Sequence, residues 1–259
     1  MNRLKNRVAF ITGAGTGIGR QSALLFASEG GRVVIADYDV ELGKETERLV
    51  KAAGGEVLYV ETNITDEASV RAAVAATLSS FDKLDVLYNC AGGSVDKDGA
   101  ITEIEPWVID HTISLDLKGT LYCCREVIPE IIKSGGGSVI NMSSTAALQG
   151  TSMHIYSAAK GAIISLTRSL AATYSKDLVR VNAICPGIVL TDRVKKRFGD
   201  LSDQHDDLKD SIAARTAVRY PFGVGQPDDI AQVALFLAAD ESRMVNGCVI
   251  AADGGLSAF

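Results

Sequence analysis

Two side chains with complementary chemistry, Tyr156 and Lys160, are one helical turn apart in a stretch with helical character. That spacing places a phenol and an ammonium on one face of a helix. A phenol is a poor base at neutral pH, but a nearby cation favours its phenolate form. The pair could therefore take a proton from an alcohol or return one to a carbonyl oxygen. Taken alone, the pair also fits an amphipathic helix with an exposed lysine.

A pair of hydroxyls precedes this helix, directly after the predicted strand 138–142. A serine at that strand end could donate a hydrogen bond to a substrate oxygen and stabilise its developing charge. Because side chains alternate along an extended chain, Ser143 and Ser144 cannot both point into one site.

A glycine-rich segment, TGAGTGIG at 12–19, follows the first predicted strand and opens a helix. Glycines there allow a sharp turn and close approach to a diphosphate at the helix start. Asp37 ends the second predicted strand, where a carboxylate can accept hydrogen bonds from ribose hydroxyls and repel a 2′-phosphate. With a neutral Thr16 in the loop, the sequence predicts NAD rather than NADP. A helix-capping aspartate, the alternative for Asp37, is compatible with either cofactor.

The elements that must position these residues alternate along the chain. Strands are predicted over 7–12, 32–37, 57–61, 86–89, 138–142, 179–184 and 249–252, and helices over 18–28, 40–53, 67–78, 115–133, 157–174 and 228–237. Nearly continuous apolar runs such as 33–36 are typical of parallel strands covered by helices on both faces. The alternation predicts an α/β fold: one Rossmann domain over 1–259, with a doubly wound parallel sheet of about seven strands.

Residues 192–225 break this alternation, with a polar composition and no strand pattern. Since they follow a strand end, where α/β proteins bind ligands, we predict a substrate-covering insertion. An ordinary surface excursion is the alternative. His154, close in sequence to Tyr156, is a candidate substrate contact, although a surface histidine is the commoner outcome.

Composition narrows the classes of function. A net charge of −6 argues against a nucleic-acid groove, and no apolar run is long enough for a signal peptide or membrane span. Five cysteines without CxxC spacing predict free thiols and a cytoplasmic location. None of the three histidines has metal-ligand spacing, so we expect no catalytic metal.

The order of five motifs resembles the short-chain dehydrogenase/reductase family over essentially the whole chain. They are TGAGTGIG at 12–19, NCAG at 89–92, YSAAK at 156–160, CPGIVLT at 185–191 and DGG at 253–255. The resemblance implies that Tyr156 is the catalytic acid/base, Lys160 its partner and a ligand of the nicotinamide ribose, and a serine the oxyanion anchor. Motif position favours Ser144 as that serine, whereas the distance to Tyr156 favours Ser143. We predict Ser144.

The resemblance also places the cofactor. Contacts are expected from Gly13, Thr16, Gly17, Ile18, Gly19, Asp37, Asn63, Ile64, Asn89, Ala91, Gly92, Tyr156, Lys160, Pro186, Gly187, Val189 and Thr191. Within this set, Pro186, Gly187 and Val189 are implied at the nicotinamide and Thr191 near the diphosphate. The pair Asn63–Ile64 is implied at the adenine, where the family usually has aspartate in place of Asn63. A homotetramer is also implied.

One departure concerns the fourth catalytic residue of the family, an asparagine before a Leu-Lys-Gly stretch. Here Asp116 occupies that place and adds a negative charge near Lys160. We predict that Asp116→Asn keeps substantial activity and shifts the pH profile.

These observations favour an oxidoreductase that moves a hydride between NAD and a secondary alcohol or ketone, a neutral small molecule contacted by Ser144, Tyr156 and His154. A second interpretation is a reductase of the 3-oxoacyl carrier-protein type using NADPH, against which Asp37 and the acidic balance argue. A third, of another class, is a nucleotide-sensing binding protein without turnover, toward which only Asp116 points.

Overall fold

The computed structural model describes residues 2–198 and 222–258. Residues 199–221, most of the predicted insertion over 192–225, lie outside this description. The insertion and the assignment of 1–259 to one domain therefore stay predictions.

Short apolar runs form the strands, and amphipathic segments between them form the helices. The strands are β1 (Val8–Thr12), β2 (Arg32–Asp37), β3 (Glu56–Glu61), β4 (Val86–Asn89), β5 (Gly137–Met142), β6 (Val179–Pro186) and β7 (Val249–Ala252). The helices are α1 (Gly17–Ser28), α2 (Val40–Ala52), α3 (Glu67–Phe81), α4 (Pro106–Thr112), α5 (Gly119–Lys133), α6 (His154–Tyr174), α7 (Asp192–Phe198) and α8 (Pro227–Ala238).

All seven strands form one parallel sheet in the order β3-β2-β1-β4-β5-β6-β7. Strands β1, β2, β4 and β5 are buried along nearly their whole length, because helices cover both faces. Helices α1 and α8 pack on one face, while α3, α5 and α6 contribute to the core on the other. The predicted doubly wound Rossmann fold is confirmed. Its strand order reverses between β1 and β4, the point where such sheets bind ligands.

The predicted single helix over 115–133 is wrong at its beginning. The helical segment starts at Pro106, continues through a π-helical turn over Ile113–Lys118, and becomes α5 at Gly119. The backbone N–H of Gly119 donates to Ser114 O, five residues earlier, so one extra residue is inserted into the turn. This wider turn carries Asp116 into the protein interior.

No helix in the described parts of the chain combines the length and the apolar composition needed to cross a membrane.

Candidate active site

The loops after β1 and β4 meet at the switch point of the sheet. The buried hydroxyl oxygen of Thr12 accepts hydrogen bonds from the backbone N–H groups of Cys90 and Ala91, both at 3.1 Å. Gly13, at φ +64°, brings the glycine loop so close that a Cβ there would lie 2.7 Å from the Cα of Ala91. The two loops are therefore joined and form one border of the site. No pattern in the sequence indicates this role of Thr12.

Two adjoining cavities open at this edge. The first, here named the glycine-loop cavity, has a volume of about 430 Å³. Of the predicted site residues, its lining includes Gly13, Thr16, Gly17, Ile18, Gly19, Asp37, Asn63, Ile64, Ala91, Gly92 and Thr191. The second, the tyrosine cavity, has a volume of about 480 Å³. Its lining includes Ser143, Ser144, Tyr156, Lys160, Pro186, Gly187 and Val189. Together they form an elongated crevice with a polar loop at one end and the Tyr156–Lys160 pair at the other.

Asp37 holds the glycine loop against the end of β2. Its Oδ2 accepts the backbone N–H of Gly15 at 2.7 Å, and its Oδ1 accepts that of Asp39 at 3.0 Å. The side chain is 8% exposed and still lines the glycine-loop cavity. Its carboxylate therefore holds the glycine loop in place and also puts a negative charge in the wall of the glycine-loop cavity.

The first turn of α1 provides an anion-binding surface beside this wall. The N-terminal residue before the helix, Thr16, makes no side-chain capping hydrogen bond. The first N–H groups of a helix have no intrahelical acceptor and carry a partial positive charge. Because Gly17, Ile18 and Gly19 line the glycine-loop cavity, a negatively charged ligand group in it can bind there.

The two serines have different environments. Ser143 is 1% exposed, and its hydroxyl donates to the carbonyl oxygen of Lys160 at 2.8 Å. Ser144 is half-buried, and its hydroxyl oxygen accepts the backbone N–H of Ala146 at 3.1 Å. Accepting that bond leaves the Ser144 hydrogen available to a ligand, whereas the Ser143 hydrogen is already used.

Tyr156 and Lys160 lie in the first two turns of α6. The Lys160 nitrogen is 5.6 Å from the centroid of the Tyr156 ring. It donates to the carbonyl oxygen of Met142 at 3.0 Å and pairs with Asp116 Oδ1 at 2.9 Å. An ammonium has three donors, so one remains for a ligand in the tyrosine cavity.

Asp116 lies behind Lys160 and lines neither cavity. Its Oδ1 also accepts the backbone N–H of Gly93 at 2.9 Å, and its Oδ2 is buried without a hydrogen-bond partner among the described residues. Burial is the largest single influence on Lys160 and lowers its pKa, but the negative charge of Asp116, the hydrogen bond to it and the electrostatic influences of Tyr156 and Cys90 together outweigh burial. The pKa of Lys160 is raised above its ordinary value, so the ammonium is retained at neutral pH.

A second buried carboxylate fixes the start of the helix. Asp98, in the loop between β4 and α4, accepts the backbone N–H of Ile155 through Oδ1 at 3.1 Å and that of Tyr156 through Oδ2 at 2.7 Å. Asp98 is 7% exposed. It thus caps α6 at the tyrosine itself, as N-terminal acidic side chains do. No local pattern in the sequence indicates this contact.

Three predicted site residues line neither cavity within the described structure: Asn89, Asp116 and His154. Asn89 is buried and donates to Asn141 Oδ1 at 2.9 Å, tying β4 to β5. His154 is the exposed first residue of α6. Asn63 does line the glycine-loop cavity, but its side-chain oxygen accepts from the N–H and hydroxyl of Thr65.

This geometry agrees with comparisons to known proteins. A family model described as "Enoyl-(Acyl carrier protein) reductase" matches residues 13–257. An uncharacterized oxidoreductase, YxbG of Bacillus subtilis (strain 168), is 37% identical over 265 residues, covering 100% of this chain and 94% of the relative. The chain belongs to the short-chain dehydrogenase/reductase family. The predicted resemblance is thereby confirmed, and with it an oxidoreductase of a family that uses nicotinamide cofactors.

Two further proteins that are similar to this chain have names that state a substrate. The 2-(S)-hydroxypropyl-CoM dehydrogenase 3 of Xanthobacter autotrophicus is 33% identical, covering 100% of this chain and 99% of the relative. The crystal structure of carveol dehydrogenase from Mycobacterium avium, in complex with NAD, superimposes with a TM-score of 0.91 at 28% identity, covering 100% of both chains.

Proposed function

We propose that this short-chain dehydrogenase/reductase transfers a hydride between NAD(H) and a secondary alcohol or its ketone, with Tyr156 as general acid/base. The observation that carries the proposal is the position of Tyr156 in the wall of the tyrosine cavity, beside an ammonium that Asp116 keeps charged. Nothing in this arrangement requires a metal.

The two cavities fit a dinucleotide. An uncapped helix start faces the glycine-loop cavity, and this cavity adjoins the one that holds Tyr156. Asp37 supports NAD over NADP, because its carboxylate can accept from ribose hydroxyls and opposes a 2′-phosphate. The NAD in the related carveol dehydrogenase agrees with this choice. When bound, the nicotinamide accepts or donates the hydride.

The proton is handled by the protein. In the oxidative direction, the phenolate of Tyr156 takes the hydroxyl proton of the substrate; in the reductive direction, the phenol returns it to the carbonyl oxygen. The ammonium of Lys160 stabilises the phenolate and offers its remaining donor to a ribose hydroxyl in the cavity.

Two other side chains support this step. The free hydrogen of Ser144 donates to the substrate oxygen and stabilises negative charge on it. Asp116 contacts neither substrate nor cofactor in this proposal, and it acts as a positioning residue by holding Lys160 through Oδ1. His154 has no direct part in this proposal, because it lies outside the described lining of both cavities. Asn89 has none either, because its side chain ties β4 to β5.

The rival functions have less support. An NADPH-dependent 3-oxoacyl carrier-protein-type reductase conflicts with the negative wall formed by Asp37, although the description of the matching family model names an acyl carrier protein. A nucleotide-sensing protein without turnover would need Asp116 to abolish the chemistry. The retained Lys160 ammonium argues against that.

Assembly and location complete the proposal. Ile109 in α4 and Leu121 in α5 are exposed large hydrophobic residues, consistent with a homotetramer that buries this face. Light scattering of the purified protein would show a tetramer's mass.

We also propose a cytoplasmic location, consistent with free cysteines.

The decisive experiment is a panel of secondary alcohols and ketones assayed with NAD(H) and NADP(H) by nicotinamide absorbance. We expect turnover with NAD(H), and its loss by at least about a hundredfold in Tyr156→Phe. Absence of turnover across the panel, with intact NADH binding, would favour the sensor; faster turnover with NADPH than with NADH would favour the reductase.

A further inference from the structure

The junction of the two cavities is formed by residues that line both. They are Ile18, Cys90, Gly92, Thr191 and Arg193. A ligand that extends from the glycine loop to Tyr156 must pass between them. In a dinucleotide, the part midway between the two nucleosides is the diphosphate.

Arg193 is held at this junction by the start of α7. Its Nη1 donates to the carbonyl oxygen of Gly92 at 3.4 Å, and its guanidinium lies against Gly93. A Cβ on Gly93, which has φ +139°, would lie 2.0 Å from both terminal nitrogens of Arg193. The glycine therefore provides the space that the guanidinium occupies. Close by, a Cβ on Gly17 would lie 3.0 Å from Cγ2 of Thr191, so the segment 191–193 lies beside both the start of α1 and the loop after β4.

Arg193 differs from the other charged side chains that line the two cavities. Among the described residues, the charged groups lining the glycine-loop cavity are Asp37, Asp39, Asp192 and Arg193. The tyrosine cavity is lined by two cations, Lys160 and Arg193, and by no carboxylate from the described residues. The charge of Lys160 is compensated by Asp116 at 2.9 Å. Arg193 makes no ion pair within the described structure, because its one hydrogen bond goes to a backbone carbonyl.

We propose that Arg193 binds the diphosphate of the dinucleotide, together with the N-terminus of α1. A guanidinium presents paired donors that match phosphate oxygens, so it suits this group better than a neutral side chain would. The helix start supplies only partial charges, and Arg193 supplies the full positive charge. This inference rests on the proposed function, since it presumes a dinucleotide cofactor.

The test measures binding rather than turnover. Dissociation constants of the full chain are determined by titration calorimetry for NADH, for ADP-ribose, which keeps the diphosphate, and for adenosine, which lacks it. In Arg193→Gln we expect about tenfold weaker binding of both NADH and ADP-ribose and unchanged binding of adenosine. The salt dependence of NADH binding should also decrease, and Arg193→Lys should restore part of the affinity.

Lys195→Gln is the matched control, because Lys195 is an exposed cation of the same helix that lines neither cavity. We expect it to bind all three probes like the wild type. Unchanged ADP-ribose binding in Arg193→Gln would overturn the assignment, and so would an equal loss for adenosine, which would indicate general disruption. A wild-type protein that binds neither NADH nor ADP-ribose would overturn the proposed function itself.

Discussion

Oδ1 of Asp116 lies 2.9 Å from Nζ of Lys160, and both side chains are almost completely removed from solvent. A buried cation without such a partner would tend to lose its proton. The carboxylate in place of the family's asparagine therefore changes the electrostatics of the site while keeping an acceptor in the same position.

Replacing Asp116 by Asn should shift activity toward lower pH. Burial lowers the pKa of Lys160, and the charge of Asp116 is the largest of the influences that raise it. The net effect is a raised pKa. Without that charge the ammonium loses its proton at lower pH, so the alkaline limb of the pH profile moves down. We expect substantial activity at the new optimum, measured as kcat against pH.

Asp116→Leu is the contrasting variant, because it removes the acceptor as well as the charge. Leaving Lys160 buried and unpaired should destabilise the fold by about 3 kcal/mol or more, measured by urea unfolding. Inactive but fully folded Asp116→Asn protein would show instead that the carboxylate itself is required.

Substitutions of the two serines should affect different properties: Ser144→Ala mainly the activity, and Ser143→Ala mainly the stability. Ser144→Ala removes the free donor in the tyrosine cavity, so kcat should decrease by about a hundredfold or more. Ser143→Ala removes a buried hydrogen bond to the Lys160 carbonyl, so it should cost about 1 kcal/mol of unfolding free energy with a smaller effect on kcat. Turnover near the wild-type level in Ser144→Ala would refute the assignment of the oxyanion donor.

Asp37 should determine the cofactor preference. Asp37→Ser removes the negative charge, so the ratio of kcat/KM for NADH to that for NADPH should fall by at least about tenfold. Because Gly15 also loses its acceptor, the variant should be less stable, by about 1 kcal/mol. Asp37→Asn keeps an acceptor for Gly15 and separates the two effects. A wild-type preference for NADPH would contradict the prediction.

Asp98 should position Tyr156 without contacting the substrate. Asp98→Ala leaves two N–H groups of α6 without a cap, so we expect about 1 kcal/mol lower stability and a reduced kcat with little change in KM. Asp98→Asn retains one acceptor oxygen and should recover part of the rate. Asp110→Ala, at an exposed carboxylate of α4, is the control. Equal kcat in Asp98→Ala and the wild type would exclude the positioning role.

The strands were predictable because their signal is local. Arg32–Asp37 and Val86–Asn89 end where the apolar runs end, and the structure places both at the expected edge. The π-helical turn was not predictable, since the pattern around Asp116 fits an ordinary helix equally well. Most of the candidate site follows from motifs that lie at strand ends.

The motifs could not predict contacts between residues that are far apart in the sequence. Asp98 reaches Tyr156 across 58 residues, and Arg193 reaches Gly92 across 101. The choice between Ser143 and Ser144 depends on which hydroxyl meets the Lys160 carbonyl, a matter of packing.

The cap on α6 also limits how this scaffold can be redesigned. Asp98 belongs to the loop between β4 and α4, which borders the tyrosine cavity through Gly93 and Ser94. Exchanging that loop for one from a relative, to accept a different alcohol, would also remove the cap beside Tyr156. A graft that retains the aspartate should change substrate selectivity and preserve the catalytic rate. A graft without it should change both, so the effect on selectivity could not be measured separately.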